Sequence, residues 1–174
     1  MNFFEKYYKN VIKYDLMQKF KYKSVKNVPK LKSMILNIGC KTSDFKRLTS
    51  SFLSLQLITK KKSKILRSGK SNILLKIRKG DPVGCGIILR KQHMFKTLSY
   101  VIYILSHSKQ KIFKETKQTK SVTFCFESPL SFNILELNFG FFNNLDKVNI
   151  TINTNASNSK ELLFLMNSFK IFKA

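Results

Sequence analysis

Residues 58–91 read ITKKKSKILRSGKSNILLKIRKGDPVGCGIILRK. The stretch divides into two strand-like segments joined by a polar cationic tip, followed by a tight turn into a third strand. Ile73, Leu75 and Ile77 alternate with Leu74, Lys76 and Arg78, so one face is apolar and the other becomes cationic. The tip, Arg67-Ser68-Gly69-Lys70-Ser71-Asn72, holds no apolar residue and has little reason to fold back onto a core. Lys60, Lys61, Lys62 and Lys64 precede it, and Asp81 is the only acid in the stretch. Such charge on an extended hairpin of about residues 58–80 repels itself and calls for a polyanion. A solvated, lysine-rich loop has the same composition, so the rest of the chain must decide.

The remaining composition points the same way. The chain of 174 residues carries 33 Lys and Arg against 9 Asp and Glu, a net charge of +24. Small soluble domains usually hold a net charge of about 2–8 in magnitude. The excess runs from Lys6 to Lys173, so it belongs to a folded body and not to a tail. Nucleic acid is the partner such a balance implies, with an anionic membrane as the lesser alternative. The length suits a single domain over residues 1–174. No apolar run approaches the roughly 18 residues of a membrane span, so no membrane partner is expected. Cys40, Cys85 and Cys125 form no paired motif, and His93 and His107 stand apart. The pattern excludes a disulfide framework and a zinc site; no metal and no cofactor are expected. The acids are scattered, without paired carboxylates or a nucleophile and base at workable spacing, so no enzymatic activity is expected.

Outward from the basic stretch, residues 3–20 predict an amphipathic helix through Phe4, Tyr8, Val11, Ile12, Leu16 and Phe20. Pro29 ends the connector after it, and Leu31 to Ile38 predicts a strand with Met34, Leu36 and Ile38 on one side. Ser43 or Asp44 caps a helix to about Leu57, with Phe45, Leu48, Phe52, Leu55 and Gln56 on its packed side. Gly84 to Arg90 predicts a strand, and Met94, Phe95, Leu98, Ile102 and Leu105 a helix. Lys109 to Lys120 predicts a basic loop, followed by strands at Ser121 to Glu127 and Phe132 to Phe139. Val148, Ile150 and Ile152 alternate with Asn149, Thr151 and Asn153 in a half-buried strand, and a last helix starts at Ser157 or Ser159.

The sum is an α+β fold: an antiparallel-rich sheet with helices packed on one face, a polar, basic RNA-binding face, and a protruding basic hairpin. Asn37, Lys76, Arg78, Asn149, Thr151 and Asn153 are assigned to the open face, where amides and hydroxyls can meet phosphate and ribose. Lys60, Lys61, Lys62, Lys79 and Arg90 add charge for the same RNA.

Several runs resemble, in order and spacing, large-subunit ribosomal protein five of the bacterial type. They are Tyr7-Tyr8-Lys9, Leu16-Met17-x-x-Phe20, Asn27-Val28-Pro29-Lys30-Leu31 and Ile35-Leu36-Asn37-Ile38-Gly39. The most specific is Lys76-Ile77-Arg78-Lys79-Gly80-Asp81-Pro82-Val83-Gly84-Cys85, and Leu89-Arg90, Met94-Phe95 and Leu145-Asp146-Lys147-Val148-Asn149-Ile150-Thr151-Ile152 follow. The resemblance implies a place in the central protuberance, with 5S rRNA on the sheet side of the domain or, without it, other large-subunit rRNA. It implies a basic hairpin reaching toward peptidyl-site tRNA and a bridge to small-subunit protein thirteen, beside other central-protuberance proteins and with no homo-oligomer. By position Lys64, Arg67, Ser68, Lys70 and Ser71 would lie at or near the tip of the tRNA-facing loop, Lys70-Ser71 matching the family's Lys-Ser pair. The family's Asp-Phe-Arg-Gly segment and its later Gly-rich loop are replaced by Ile112-Phe113-Lys114-Glu115 and Lys120-Ser121-Val122-Thr123-Phe124. Such drift, and a lysine-, isoleucine- and asparagine-rich composition that fits AT-rich codons, suggest a mitochondrial ribosome. A plastid-type organelle or an AT-rich bacterium would leave the same signature. The N-terminus lacks the look of a transit peptide, as suits a gene carried in the organelle.

Overall fold

Met34, Leu36 and Ile38 are wholly buried, and their strand β1 (Leu31–Gly39) is the middle of the sheet. The structure, a computed structural model, describes residues 2–40, 44–107, 120–143 and 145–171. Five antiparallel strands are ordered β2-β3-β1-β5-β4, where β2 is Lys64–Arg67, β3 Pro82–Leu89, β4 Ser121–Phe126 and β5 Val148–Thr154. Period-two patterning sets the register. Leu36 lies opposite Ile87 of β3 and Ile150 of β5, so apolar residues meet on one face, and the other is mostly polar apart from the Ile35–Ile88 pair. Gly84 allows β3 to close on β1, because a Cβ there would stand 2.6 Å from the Ile38 carbonyl oxygen.

Helices cover the apolar face. The N-terminal helix comprises α1 (Phe3–Tyr7) and α2 (Lys13–Phe20), joined by a π-helical turn over Tyr8–Ile12. That turn shifts the phase of the helix, so Ile12 and Leu16 are buried while Val11 is turned outward. α3 (Phe45–Thr59) buries Leu48, Ser51, Ser54, Leu55 and Ile58. This differs from the expected packed side: Phe45 is exposed and Phe52 only half-buried, because small serines let the helix lie close to β3. α4 (Lys91–His107) buries Met94, Phe95, Leu98, Val101, Ile104 and Leu105. α7 (Ser159–Ser168) buries Leu162, Leu165 and Met166, and Phe169 follows it into the core.

The expected strand over Phe132 to Phe139 is not formed. A 3-10 turn at Pro129–Ser131 leads into two short helices, α5 (Asn133–Glu136) and α6 (Phe139–Phe142). Phe132, Leu135 and Phe142 are the residues that enter the core, and their intervals of three and seven are helical. The expected loop over Lys109 to Lys120 lies, but for Lys120, outside the described residues, as do Ser43 and Ile112-Phe113-Lys114-Glu115.

Candidate nucleic-acid interface

The face of the sheet away from the helices carries mostly small polar side chains, with Ile35 and Ile88 among them. The β-register brings Asn37 between Asn149 of β5 and Gly86 of β3, and Ile35 between Thr151 and Ile88. Thr151 in turn faces Thr123 of β4, and Asn153 faces both Ser33 and Ser121. Two of these contacts are hydrogen bonds: the hydroxyls of Thr123 and Thr151 lie 3.0 Å apart, and Asn153 Nδ2 donates to Ser33 Oγ at 3.2 Å. Asn37 Oδ1 is buried and has no hydrogen-bond partner among the described residues. An amide oxygen in that state is costly unless a donor reaches it from outside. Cys125, on the same face opposite Asn149, is half-buried.

The expected sheet-face residues Asn37, Asn149, Thr151 and Asn153 are therefore brought together. Lys76 and Arg78 are not among them. The segment they occupy is no strand, and both residues stand on the projecting hairpin. The centre of the open face is uncharged, its amides and hydroxyls interrupted by the Ile35–Ile88 pair, with its cations at the margins. Lys64 sits on edge strand β2 opposite Gly86, and exposed Arg90 follows the last residue of β3.

The hairpin itself is real but differently built. β2 and β3 form its stem, with Lys64 and Arg67 in β2. Beyond them Ser68 N donates to Asp81 O at 2.8 Å, and Gly80, at φ +94°, returns a bond to Ser68 O at 2.9 Å. Asn72 and Ile77 exchange backbone bonds of 2.8 and 3.0 Å. Asn72 Oδ1 then accepts from Leu75 N at 3.3 Å, and Lys76 N donates to Ile73 O at 3.1 Å. This closes the chain in a four-residue turn with Lys76 left-handed at φ +53°. The asparagine side chain captures a backbone N–H that a strand would have given to its partner, which is why the alternation over 73–78 does not become a strand.

The extremity is thus Ile73-Leu74-Leu75-Lys76, and it is apolar: Ile73 is 92% and Leu74 94% exposed. Ser68, Lys70 and Ser71 lie on the shaft just below it, and Lys64 and Arg67 in the stem. Sequence alternation concealed this end, because Ile73 and Leu75 looked like the buried side of a strand. Arg78 and Lys79 are exposed on the returning side of the shaft, between Ile77 and the turn at Gly80. Asp81 is occupied, its Oδ2 accepting from Arg78 N at 2.8 Å, so it folds the turn instead of neutralising the finger. Lys60, left-handed at the end of α3, and Lys61 and Lys62 are exposed where the chain enters β2.

Among the described residues no group of three or more His, Cys, Asp or Glu is placed to hold a metal ion, and no helix is long and apolar enough to cross a membrane. Burial pushes the Cys85 thiol up to about 11 and raises that of Cys40, so both remain protonated thiols at neutral pH.

No family model matches the chain. It is 32% identical over 177 residues to large ribosomal subunit protein uL5m of Reclinomonas americana, covering 98% of this chain and 97% of the relative. It is 31% identical over 170 residues to large ribosomal subunit protein uL5 of Blochmanniella floridana, covering 94% and 88%. A 94-residue stretch is 42% identical to the uL5 protein of Clostridium acetobutylicum, over 53% and 52% of the two chains. Both mitochondrial and bacterial proteins are among these relatives, and they are structural components of ribosomes, not enzymes. A five-stranded antiparallel sheet covered on one side by helices, aligned over nearly its whole length with such proteins, makes this chain a member of the uL5 family and a structural constituent of the large ribosomal subunit.

Proposed function

We propose that the chain is a single rigid domain that lays its open sheet face on RNA of the central protuberance and projects its finger toward peptidyl-site tRNA. The RNA is 5S rRNA where the ribosome holds one and neighbouring large-subunit rRNA otherwise. Asn37, Asn149, Thr151 and Asn153 supply hydrogen bonds to ribose and phosphate, and Lys60, Lys61, Lys62, Lys64, Lys79 and Arg90 supply charge at the margins. Arg67, Ser68, Lys70, Ser71, Lys76 and Arg78 line the finger that meets tRNA. The small subunit is contacted through its protein thirteen, and the ribosome is mitochondrial.

The observation that carries this reading is the division of labour between the two surfaces. One face is neutral and rich in amides and hydroxyls, with a buried acceptor lacking a donor at Asn37. Beside it stands a projection with nine Lys and Arg over residues 60–81, whose one acid is bound into its own turn. A solvated sheet face would explain the first feature but not the second.

Sedimentation of native lysate, followed by ultraviolet crosslinking and sequencing of the RNA attached to this chain, tests it. The expected result is co-migration with the large subunit, crosslinks from the sheet face to 5S or central-protuberance rRNA, and crosslinks from residues 67–76 to tRNA. A chain confined to light fractions, or joined to unrelated RNA, would overturn it.

A further inference from the structure

The helix-covered side of the molecule carries a second surface. α3 turns Leu48, Leu55 and Ile58 to the core, yet Phe45, Thr49, Leu53 and Leu57 recur every fourth residue along its outer side. α6 runs beside this stripe, and Gly140 and Phe141 complete a groove of about 1120 Å³. Phe45 is 77% and Phe141 80% exposed, with Leu53 and Leu57 exposed between them. Single exposed apolar residues are ordinary; a contiguous set along a groove marks an interaction surface.

The charges around it select the occupant. Lys46 and Arg47 stand in the first turn of α3, and Lys60, Lys61 and Lys62 follow its last turn. Asp44 is engaged by Arg47 at 3.8 Å. The stripe is therefore apolar in its middle and cationic at both ends. A phosphate backbone, charged at every step, does not match an apolar middle, and the face proposed for RNA is the opposite one. A protein helix with apolar side chains every third or fourth residue, flanked by acids, matches both features.

We propose that the groove between α3 and α6 is a docking site for an acidic, amphipathic helical segment of a neighbouring protein. It shares Lys60, Lys61 and Lys62 with the margin of the sheet face and does not depend on which RNA that face binds.

The test uses the full chain and three fluorescent synthetic peptides of equal length. One is a helix with Leu and Phe at four-residue spacing and Glu at both ends. The second is a scrambled isomer of the same charge, and the third carries Lys in place of Glu. Anisotropy should show the first bound about tenfold or more tighter than either of the others. Phe141→Ser and Leu53→Ser, both at exposed positions, should each abolish the preference over the scrambled isomer. Leu74→Ser, on the finger, should leave it intact. Equal binding of the first two peptides to the unaltered chain would overturn the proposal without recourse to any variant. So would a preference that survives both groove substitutions. Sedimentation velocity supplies the remaining outcome: concentration-dependent dimers lost on Phe141→Ser would mean that a second copy of this chain covers the groove, and would also overturn it.

Discussion

Leu36 and Cys125 sit on opposite faces of the sheet, and each position tests its face. Leu36 is fully buried midway along the central strand, with strands on both sides. Leu36→Asp places a carboxylate in the hydrophobic core, and a cost of about 4 kcal/mol or more is expected, comparable to the whole stability of a small domain. Circular dichroism should show loss of the cooperative melt. A folded Leu36→Asp protein would mean that the sheet faces are assigned the wrong way round. The cysteines give a gentler measurement. Cys40 Sγ lies 3.6 Å from Ser51 Oγ, and Cys85 Sγ donates to Leu48 O at 3.7 Å, both in the core. Burial raises both, Cys85 to about 11, so their thiolate fraction at neutral pH is small and grows only as pH climbs toward that value. Alkylation at pH 7.5 should therefore modify half-buried Cys125 first. Because Cys125 belongs to the open face, cognate RNA should slow its modification several-fold. An unchanged rate in the bound state would place the RNA elsewhere.

At the scale of elements, the finger separates two kinds of contact that one substitution cannot distinguish. Lys70 lies on the shaft and Leu74 at the extremity. Lys70→Glu should weaken tRNA-side binding and flatten its dependence on salt by about one counterion. Leu74→Ser should weaken binding by about tenfold with the salt slope unchanged, since what it removes is apolar contact. Neither should shift the melting temperature appreciably, as neither residue is packed; a large shift would show that the finger folds back on the body. The same element shows what was legible in the sequence. The polar and apolar faces of β1 and β5 follow from strict alternation, and every residue assigned to the buried side is buried. The alternation over 73–78 misleads, because one turn held by the Asn72 side chain outweighs six residues of pattern. Phe132 to Phe139 misleads for a related reason: an aromatic-rich run fits strand or helix alike until the core picks out Phe132 and Leu135, three apart. The α3–α6 groove is not legible in sequence, because Phe45 fits the packed side of α3 by spacing and its exposure depends on where the serines of α3 let the helix settle.

For the molecule as a whole, the net charge of +24 must act in opposite directions on folding and on binding. In the free protein, like charges crowd one another, most densely on the finger and the connector after α3, and the described acids relieve little of it. The described ion pairs include Lys9 with Glu5 at 3.2 Å, one helical turn apart, and Lys147 with Glu127 at 3.0 Å, both open to solvent on at least one side. Pairs of this kind add little to stability. Screening shortens the reach of the repulsion from about 30 Å at 0.01 M salt to about 8 Å at 0.15 M. The free chain should therefore melt at a higher temperature as salt rises over that range. Binding to RNA gains from the same charges by releasing counterions, and a chain that covers roughly 6–10 phosphates should lose about 10³- to 10⁵-fold in affinity between 50 and 200 mM salt. The two slopes together are diagnostic. Thermal melts and filter binding on one salt series should give a rising melting temperature beside a falling affinity. A melting temperature that falls with salt would show that attractive ion pairs, not repulsion, dominate the free fold. An affinity indifferent to salt would show that the polar sheet face holds RNA without help from the cations at its margins.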